Sequence, residues 1–204
     1  MSEAEGTVPP EQPRETSEAS KFAAQLEREF DKESDRACII VAATMIDGAL
    51  ENLLRARLTP SASPQDSLLE GANAPISTLS ARIDLAHRIG LLSAKFARDL
   101  HLVRRIRNDF AHNLNGCSFS DSGVQSRVME LKVSSGMAGR DPKFRSTFPS
   151  GTKGDCLFEV SWRLWYLHWL CGVIKGMGEA PLEFGYIYPV PPSKPVKTEP
   201  ESSA

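Results

Sequence analysis

The sequence predicts an all-α protein, a helical bundle of about five to six helices without a β-sheet. Apolar residues recur every three or four positions in several segments, and no stretch shows the period-two alternation of a half-buried strand. Helix-starting and helix-stopping residues bracket these segments. The 204 residues are 41% hydrophobic and 25% charged with a net charge of -2, which fits one globular domain and excludes a collagen-like or wholly disordered chain.

Polar tails flank the predicted domain, which extends over 20–188. The N-terminal tail, 1–19, combines three prolines with five glutamates, and the proline-rich tail 189–204 has a similar composition. Segments with so few large apolar residues cannot offset the entropy of ordering, so both tails are predicted to be disordered. Between Asp35 and Ser193 there are 18 Lys and Arg against 15 Asp and Glu, so the folded part is mildly basic.

Two helices are predicted in the first quarter of the chain. Segment 20–33 has a narrow apolar stripe at four-residue steps, formed by Phe22, Leu26 and Phe30. The next helix begins near Ser34, a suitable N-cap, and extends to about Leu58 before Pro60. Its first half is apolar on nearly all sides, which predicts the most buried helix of the bundle.

Two further helices precede the middle of the chain. After a loop over 59–74, the third begins at Ser77 or Thr78 and ends at Gly90, a residue suited to a left-handed C-cap. The fourth begins after Ser93 and ends near 111–114. Four of its large apolar residues fall within one stripe less than about 90° wide: Phe96, Leu100, Val103 and Phe110.

The second half of the chain is predicted to contain loop 113–121, a short helix over 122–133 and a mobile loop over about 134–154. A last helix is predicted to be capped by Asp155. It has five aromatic residues at helical spacing: Phe158, Trp162, Trp165, Tyr166 and Trp169. They could stack on bases, but at this spacing we interpret them as core residues.

The sequence predicts neither membrane insertion nor a cofactor. No run reaches the roughly 18 to 20 apolar residues of a bilayer span, and the acidic N-terminus lacks the order of a secretion signal, so we expect a cytoplasmic protein. The four cysteines lie far apart with no C-x-x-C pair, which predicts free thiols and no metal site.

Arg107 is the most informative residue of the fourth helix. On a helical wheel it falls about 20° from Phe96, inside the apolar stripe. A buried guanidinium cannot lose its proton and needs an acid nearby. Asp47 and Glu51 on the central helix and Asp84 on the third are the candidates, and we predict a structural ion pair of Arg107 with Asp84 or Asp47.

A polar row lies on the same helix at His101, Arg105, Asn108 and His112. If the helix frays at Ala111, His112 could instead turn toward Arg107. An imidazole beside a guanidinium suits phosphodiester chemistry, because the imidazole transfers protons at neutral pH while the cation stabilises phosphate charge. Between Arg82 and Arg107 there are seven Lys and Arg against two acids, a surface that would attract RNA. The RNA-facing candidates are His101, Arg104 and Arg105.

Three blocks in series resemble the mannitol operon repressor family. They are DRACIIVAA (35–43) leading into LENLL (50–54), STLSARIDLA (77–86) and DLHLVRRIRNDFAH (99–112). The resemblance covers roughly 35–131 and implies an all-helical intracellular protein that takes part in transcriptional regulation of sugar-uptake operons. We find no helix-turn-helix, and a pI near 6.1 does not favour direct DNA binding.

The segment Arg107-Asn108-x-x-x-His112 also resembles the R-N-x-x-x-H signature of the HEPN superfamily of helical bundles. Many members are metal-independent endoribonucleases that work as dimers. The resemblance implies that Arg107 holds the scissile phosphate, Asn108 orients it and His112 acts as general acid or base. It also implies a homodimer that brings both copies of these residues to one cleft.

Two hypotheses follow. The first is a non-enzymatic regulator of the mannitol operon repressor type that acts through protein or RNA contacts. The alternative is a HEPN-type endoribonuclease or RNA-binding module that uses Arg107 and His112.

Overall fold

A computed structural model describes residues 30, 33–113, 116–140 and 142–178. This part contains seven helices and no strand, which confirms the predicted all-helical bundle. The helices are α1 (Asp35–Arg57), α2 (Leu79–Arg88), α3 (Ala94–His112), α4 (Ser122–Ser135), α5 (Met137–Arg140), α6 (Pro142–Arg145) and α7 (Gly151–Val173).

The centre of the bundle is formed by α1 and α7, the two helices of 23 residues, which pack against each other. α1 also contacts α2 and α3, and α7 also contacts α4. One continuous apolar core results, in which Ile46, Phe110 and Leu167 are almost completely buried. Burial of each such side chain stabilises the fold by roughly 1.5 to 3 kcal/mol. The packing of α1 against α7 therefore holds the other helices in place.

Side-chain caps fix where the first three helices begin. Ser34, Thr78 and Ser93 each accept a hydrogen bond from the backbone N–H three residues later, at 3.2, 3.2 and 3.1 Å. Gly90 follows α2 with φ of 77°, a left-handed conformation that favours glycine. The predicted bounds of these three helices therefore agree with the structure to within about two residues.

The predicted long loop over 134–154 needs correction. It contains the last residues of α4, both short helices and the start of α7. The cap assigned to Asp155 is also wrong, because Ser150 precedes α7 and Asp155 lies inside it. The Asp155 carboxylate instead binds Lys132 at 2.6 Å and Arg145 at 2.7 Å, which ties α4 and α6 to α7.

The predicted leading helix, 20–33, and both tails lie outside the described residues, apart from Phe30 and Glu33. Phe30 is helical and 2% exposed. The Cys38 thiol donates a hydrogen bond to the carbonyl oxygen of Phe30 at 3.4 Å.

By length and composition α1 could cross a membrane, although no span was expected from the sequence. Its buried residues lie on the side that faces the bundle: Cys38, Ile39, Ala42, Ala43, Ile46, Leu50, Leu53 and Leu54. The central position in the bundle therefore accounts for the apolar character of α1.

The aromatic residues of α7 occupy two environments. Phe158 is 1% exposed and packs against Phe144 and Phe148 with ring centroids 5.4 and 6.0 Å away. The other four, Trp162, Trp165, Tyr166 and Trp169, are half-buried. The interpretation as core residues holds for Phe158, whereas these four lie at the edge of the core.

Candidate functional site

The predicted ion pair of Arg107 with Asp84 or Asp47 is wrong. Asp47 lies 2.7 Å from Arg82, and Asp84 lies 3.1 Å from His101 Nε2. Arg107 is half-buried and donates to the Asn108 side-chain oxygen at 3.1 Å. Within the described residues it forms no ion pair.

The apolar face of α3 is centred away from Arg107. Leu102 and Ile106, which are 3% and 0% exposed, extend this face on one side. Including them shifts its centre by about 30° from the predicted stripe. The shift leaves Arg107 at the edge of the face and places Asp99, which is 3% exposed, close to its centre.

Arg107 lines a cleft of about 360 Å³, here called the α2 cleft, between α1, the start of α2, and α3. α1 contributes Ala43, Thr44 and Asp47, the start of α2 contributes Ser77, Thr78, Leu79 and Ser80, and α3 contributes Arg104, Arg107 and Asn108. Two guanidinium groups and the N-terminus of a helix therefore border the same space.

His112 borders a different cleft, here called the α4 cleft, of about 470 Å³. Its lining residues are Asn108, Asp109, His112, Asn113, Cys117, Asp121, Gly123 and Val124. His112 is the last residue of α3 and is exposed, so the helix does not fray before it. Asn108 borders both clefts, but Arg107 and His112 line separate ones within a single copy of the chain.

The RNA-facing candidates differ in their surroundings. Arg105 is exposed, whereas the His101 side chain is 23% exposed and contacts Asp84. Arg104 is half-buried in the α2 cleft, and its Nε atom is buried with no acceptor in the described part of the chain. The three side chains therefore do not form one continuous basic surface.

The sequence analysis missed a buried charge cluster at the junction of α3, α4 and α7. Arg163 lies 2.6 Å from both Asp99 and Glu159, and the three side chains are 2%, 5% and 0% exposed. The hydroxyls of Ser134 and Ser135 donate to Asp99 and Glu159, each at 2.8 Å. We call these three charged residues the Arg163 cluster.

Burial disfavours the charged form of one acid in the Arg163 cluster, Glu159. It raises the pKa of Glu159, although Arg163 and Ser135 act in the opposite direction. The signal in the sequence was a Glu four residues before an Arg inside an apolar run, a spacing that places the two side chains on one face of a helix.

A second network joins α1 to α2 and to the loop between them. The nearly buried Arg82 lies 2.7 Å from Asp47 and 2.6 Å from Glu51. Glu51 also binds Arg55, which reaches Glu70 at 2.7 Å. Asp47 and Glu51 were correctly identified as acids beside an apolar face, but their cation is Arg82.

The described residues hold no group of three or more His, Cys, Asp or Glu placed to bind a metal ion. All four cysteines are free thiols. Burial raises the pKa of Cys156 to about 12 and also raises the pKa of Cys117. The thiols of Cys117 and Cys156 therefore stay protonated at neutral pH.

Comparisons with known proteins show the fold. No protein-family model matches the chain, and no curated protein matches it in sequence. A chain in the X-ray structure of the MtlR-HPr complex from Escherichia coli is similar, with a TM-score of 0.51 and 17% sequence identity. The similarity covers 72% of this chain and 98% of that chain. Helical architecture is thus shared over nearly the whole of the other chain.

Proposed function

We propose that this protein is a non-enzymatic regulator of the mannitol operon repressor type that works by binding another protein. The observation that carries the proposal is the fold shared with a chain of the MtlR-HPr complex. By analogy with that complex, the partner proposed for this chain is an HPr protein.

The arrangement of Arg107 and His112 supports a binding role over a catalytic one. General acid–base cleavage of a phosphodiester needs the imidazole and the cation within reach of the same phosphate. In one copy of the chain they line different clefts, with His112 in the α4 cleft and Arg107 in the α2 cleft.

An exposed apolar patch on α4 offers a surface for the partner. Met129 and Val133, one turn apart, are 57% and 75% exposed. They border a shallow groove of about 410 Å³ whose other walls include Lys95, Arg98 and Glu130. Apolar side chains rimmed by charged groups are typical of protein contact sites.

Titration of the full-length chain with purified HPr in a calorimeter tests the proposal. We expect saturable binding, and a Met129→Glu/Val133→Glu double variant should lose at least about tenfold in affinity because charge at the centre of a contact is costly. Val173→Glu is the matched control, because Val173 is 52% exposed but lies at the end of α7.

Two results would overturn this function. One is the absence of HPr binding. The other is RNA cleavage that survives a chelator and disappears in His112→Ala, which would establish the nuclease alternative instead. The homodimer and the cytoplasmic location remain predictions, and light scattering on the purified chain tests the former.

A further inference from the structure

We propose that the α2 cleft binds the phosphate group of a small molecule. This site is separate from the apolar patch on α4 and goes beyond the partner binding proposed above. It needs no contribution from His112, which borders the other cleft.

Two guanidinium groups supply the positive charge. Arg104 and Arg107 lie three residues apart on α3, so both reach the same side of the helix. Among the described residues neither forms an ion pair, and the Arg107 group donates to Asn108. Guanidinium groups without acid partners are well suited to bind the oxygen atoms of a phosphate, often through two parallel hydrogen bonds.

The Arg104 guanidinium is not satisfied by the described residues around it, and its Nε atom shows this. This atom is buried and has no acceptor in the part of the chain that the structure describes. A buried donor without an acceptor costs about 1 to 3 kcal/mol, and more when the group is charged. The two terminal nitrogens of the same guanidinium are not buried and make no hydrogen bond within the described residues, so they are the atoms that an anion in the cleft can reach.

The N-terminus of α2 forms the opposite wall. Thr78 caps the N–H of Ala81, whereas the N–H groups of Leu79 and Ser80 have no acceptor within the described ranges. The first turn of α2 contains no acid. Free N–H groups at a helix N-terminus attract anions, and here they border the same space as Arg104 and Arg107.

Asp47 is the acid among the lining residues, and it limits the affinity. Its carboxylate lies 2.7 Å from Arg82, which offsets much of its charge. The remaining negative charge repels a phosphate dianion. We therefore expect Asp47→Asn to bind phosphate more tightly than the natural chain does.

The size of the cleft sets the class of ligand. About 360 Å³ is near the lower end of the roughly 300 to 1,000 Å³ of small-molecule sites. It accommodates a phosphate with a small organic group, whereas a nucleic acid strand would need a longer cationic track.

The probes for the test are inorganic phosphate and glycerol 3-phosphate, each titrated into the full chain at constant ionic strength. We expect saturable binding to the natural chain. The affinity should fall by at least about tenfold in Arg104→Gln and in Arg107→Gln, because each variant removes a charge-assisted hydrogen bond. Arg105→Gln is the matched control, because it removes the same charge from an exposed position on the same helix. It should change the affinity by less than about twofold.

The outcomes separate the sources of the phosphate group. Equal affinity for both probes identifies free phosphate, and tighter binding of glycerol 3-phosphate identifies a phosphate ester. If neither probe saturates the natural chain, or if Arg105→Gln weakens binding as much as the cleft variants, the site is refuted. Asp47→Asn keeps the test decisive if an arginine variant fails to fold, since it must strengthen binding. The HPr titration is independent, so failure of either proposal leaves the other standing.

Discussion

Replacing Arg163 by Met should be the most destabilising single change in the Arg163 cluster. The Met side chain fills much of the same space but leaves two acids without their cation. Their side chains are 5% and 0% exposed in Asp99 and Glu159, so water cannot replace the lost partner. Removing one member of a buried pair costs about 3 to 5 kcal/mol, and the two ion pairs lost here favour the upper end.

This loss is large for a domain of this kind. Small domains are stable by about 5 to 15 kcal/mol, so Arg163→Met should give up a third or more of the free energy of unfolding. Urea denaturation followed by circular dichroism at neutral pH measures it directly. Arg98→Met is the control, because Arg98 also lies near Asp99, at 3.9 Å, but its side chain is 57% exposed. The free energy of unfolding of Arg98→Met should fall by less than about 1 kcal/mol.

The pH dependence of the same cluster gives a second readout. The raised pKa of Glu159 means that the folded chain holds this proton more tightly than the unfolded chain does. The associated stability is present below the ordinary glutamate pKa of 4.5 and is lost as pH rises through the raised value. Glu159→Gln stays neutral, so its stability relative to the natural chain should rise across that interval.

The reasoning fails if Arg163→Met unfolds within about 1 kcal/mol of the natural chain at neutral pH, because a buried acid pair without a cation must cost more than that. It also fails if Glu159→Gln loses stability relative to the natural chain as pH rises. Either result would mean that the three side chains are far better hydrated than their exposed fractions indicate.

Three further changes have calculable effects, each measurable as a shift in the urea midpoint. Gly154→Ala should destabilise α7 by about 3 kcal/mol or more, because a Cβ there would lie 1.6 Å from the Pro149 carbonyl oxygen, and a loss below about 0.5 kcal/mol would contradict this packing. Thr78→Ala should cost about 1 kcal/mol through loss of the α2 cap, whereas Thr78→Ser should restore most of it. Arg82→Met should cost about 3 kcal/mol of unfolding free energy, because Arg82 binds both Asp47 and Glu51 and its side chain is 8% exposed. Arg55→Met should cost clearly less, because the Arg55 side chain is 33% exposed.

The sequence predicted the start of a helix correctly where a capping side chain close by determines it. Ser34, Thr78 and Ser93 cap the backbone within three residues, so their effect does not depend on distant parts of the chain. The start of α7 was missed because Ser150 precedes it without a side-chain cap bond, and Asp155 resembled a cap while serving as an anchor for Lys132 and Arg145.

The environment of each arginine could not be predicted in the same way, since burial depends on which face of a helix its neighbours cover. The helical wheel of α3 placed Arg107 inside a stripe built from four large residues, but contacts with α1, α2 and α4 bury a face that also includes Leu102 and Ile106. That face holds Asp99 and leaves Arg107 at its edge. The arginine that lies deepest in the core of the described residues is Arg163 on α7, at 1% exposed. That helix is apolar on most sides and therefore gives no angular signal. For such a helix the informative pattern is an acid and a base four residues apart within the apolar run, because two charges that must both be buried there are stable only as partners.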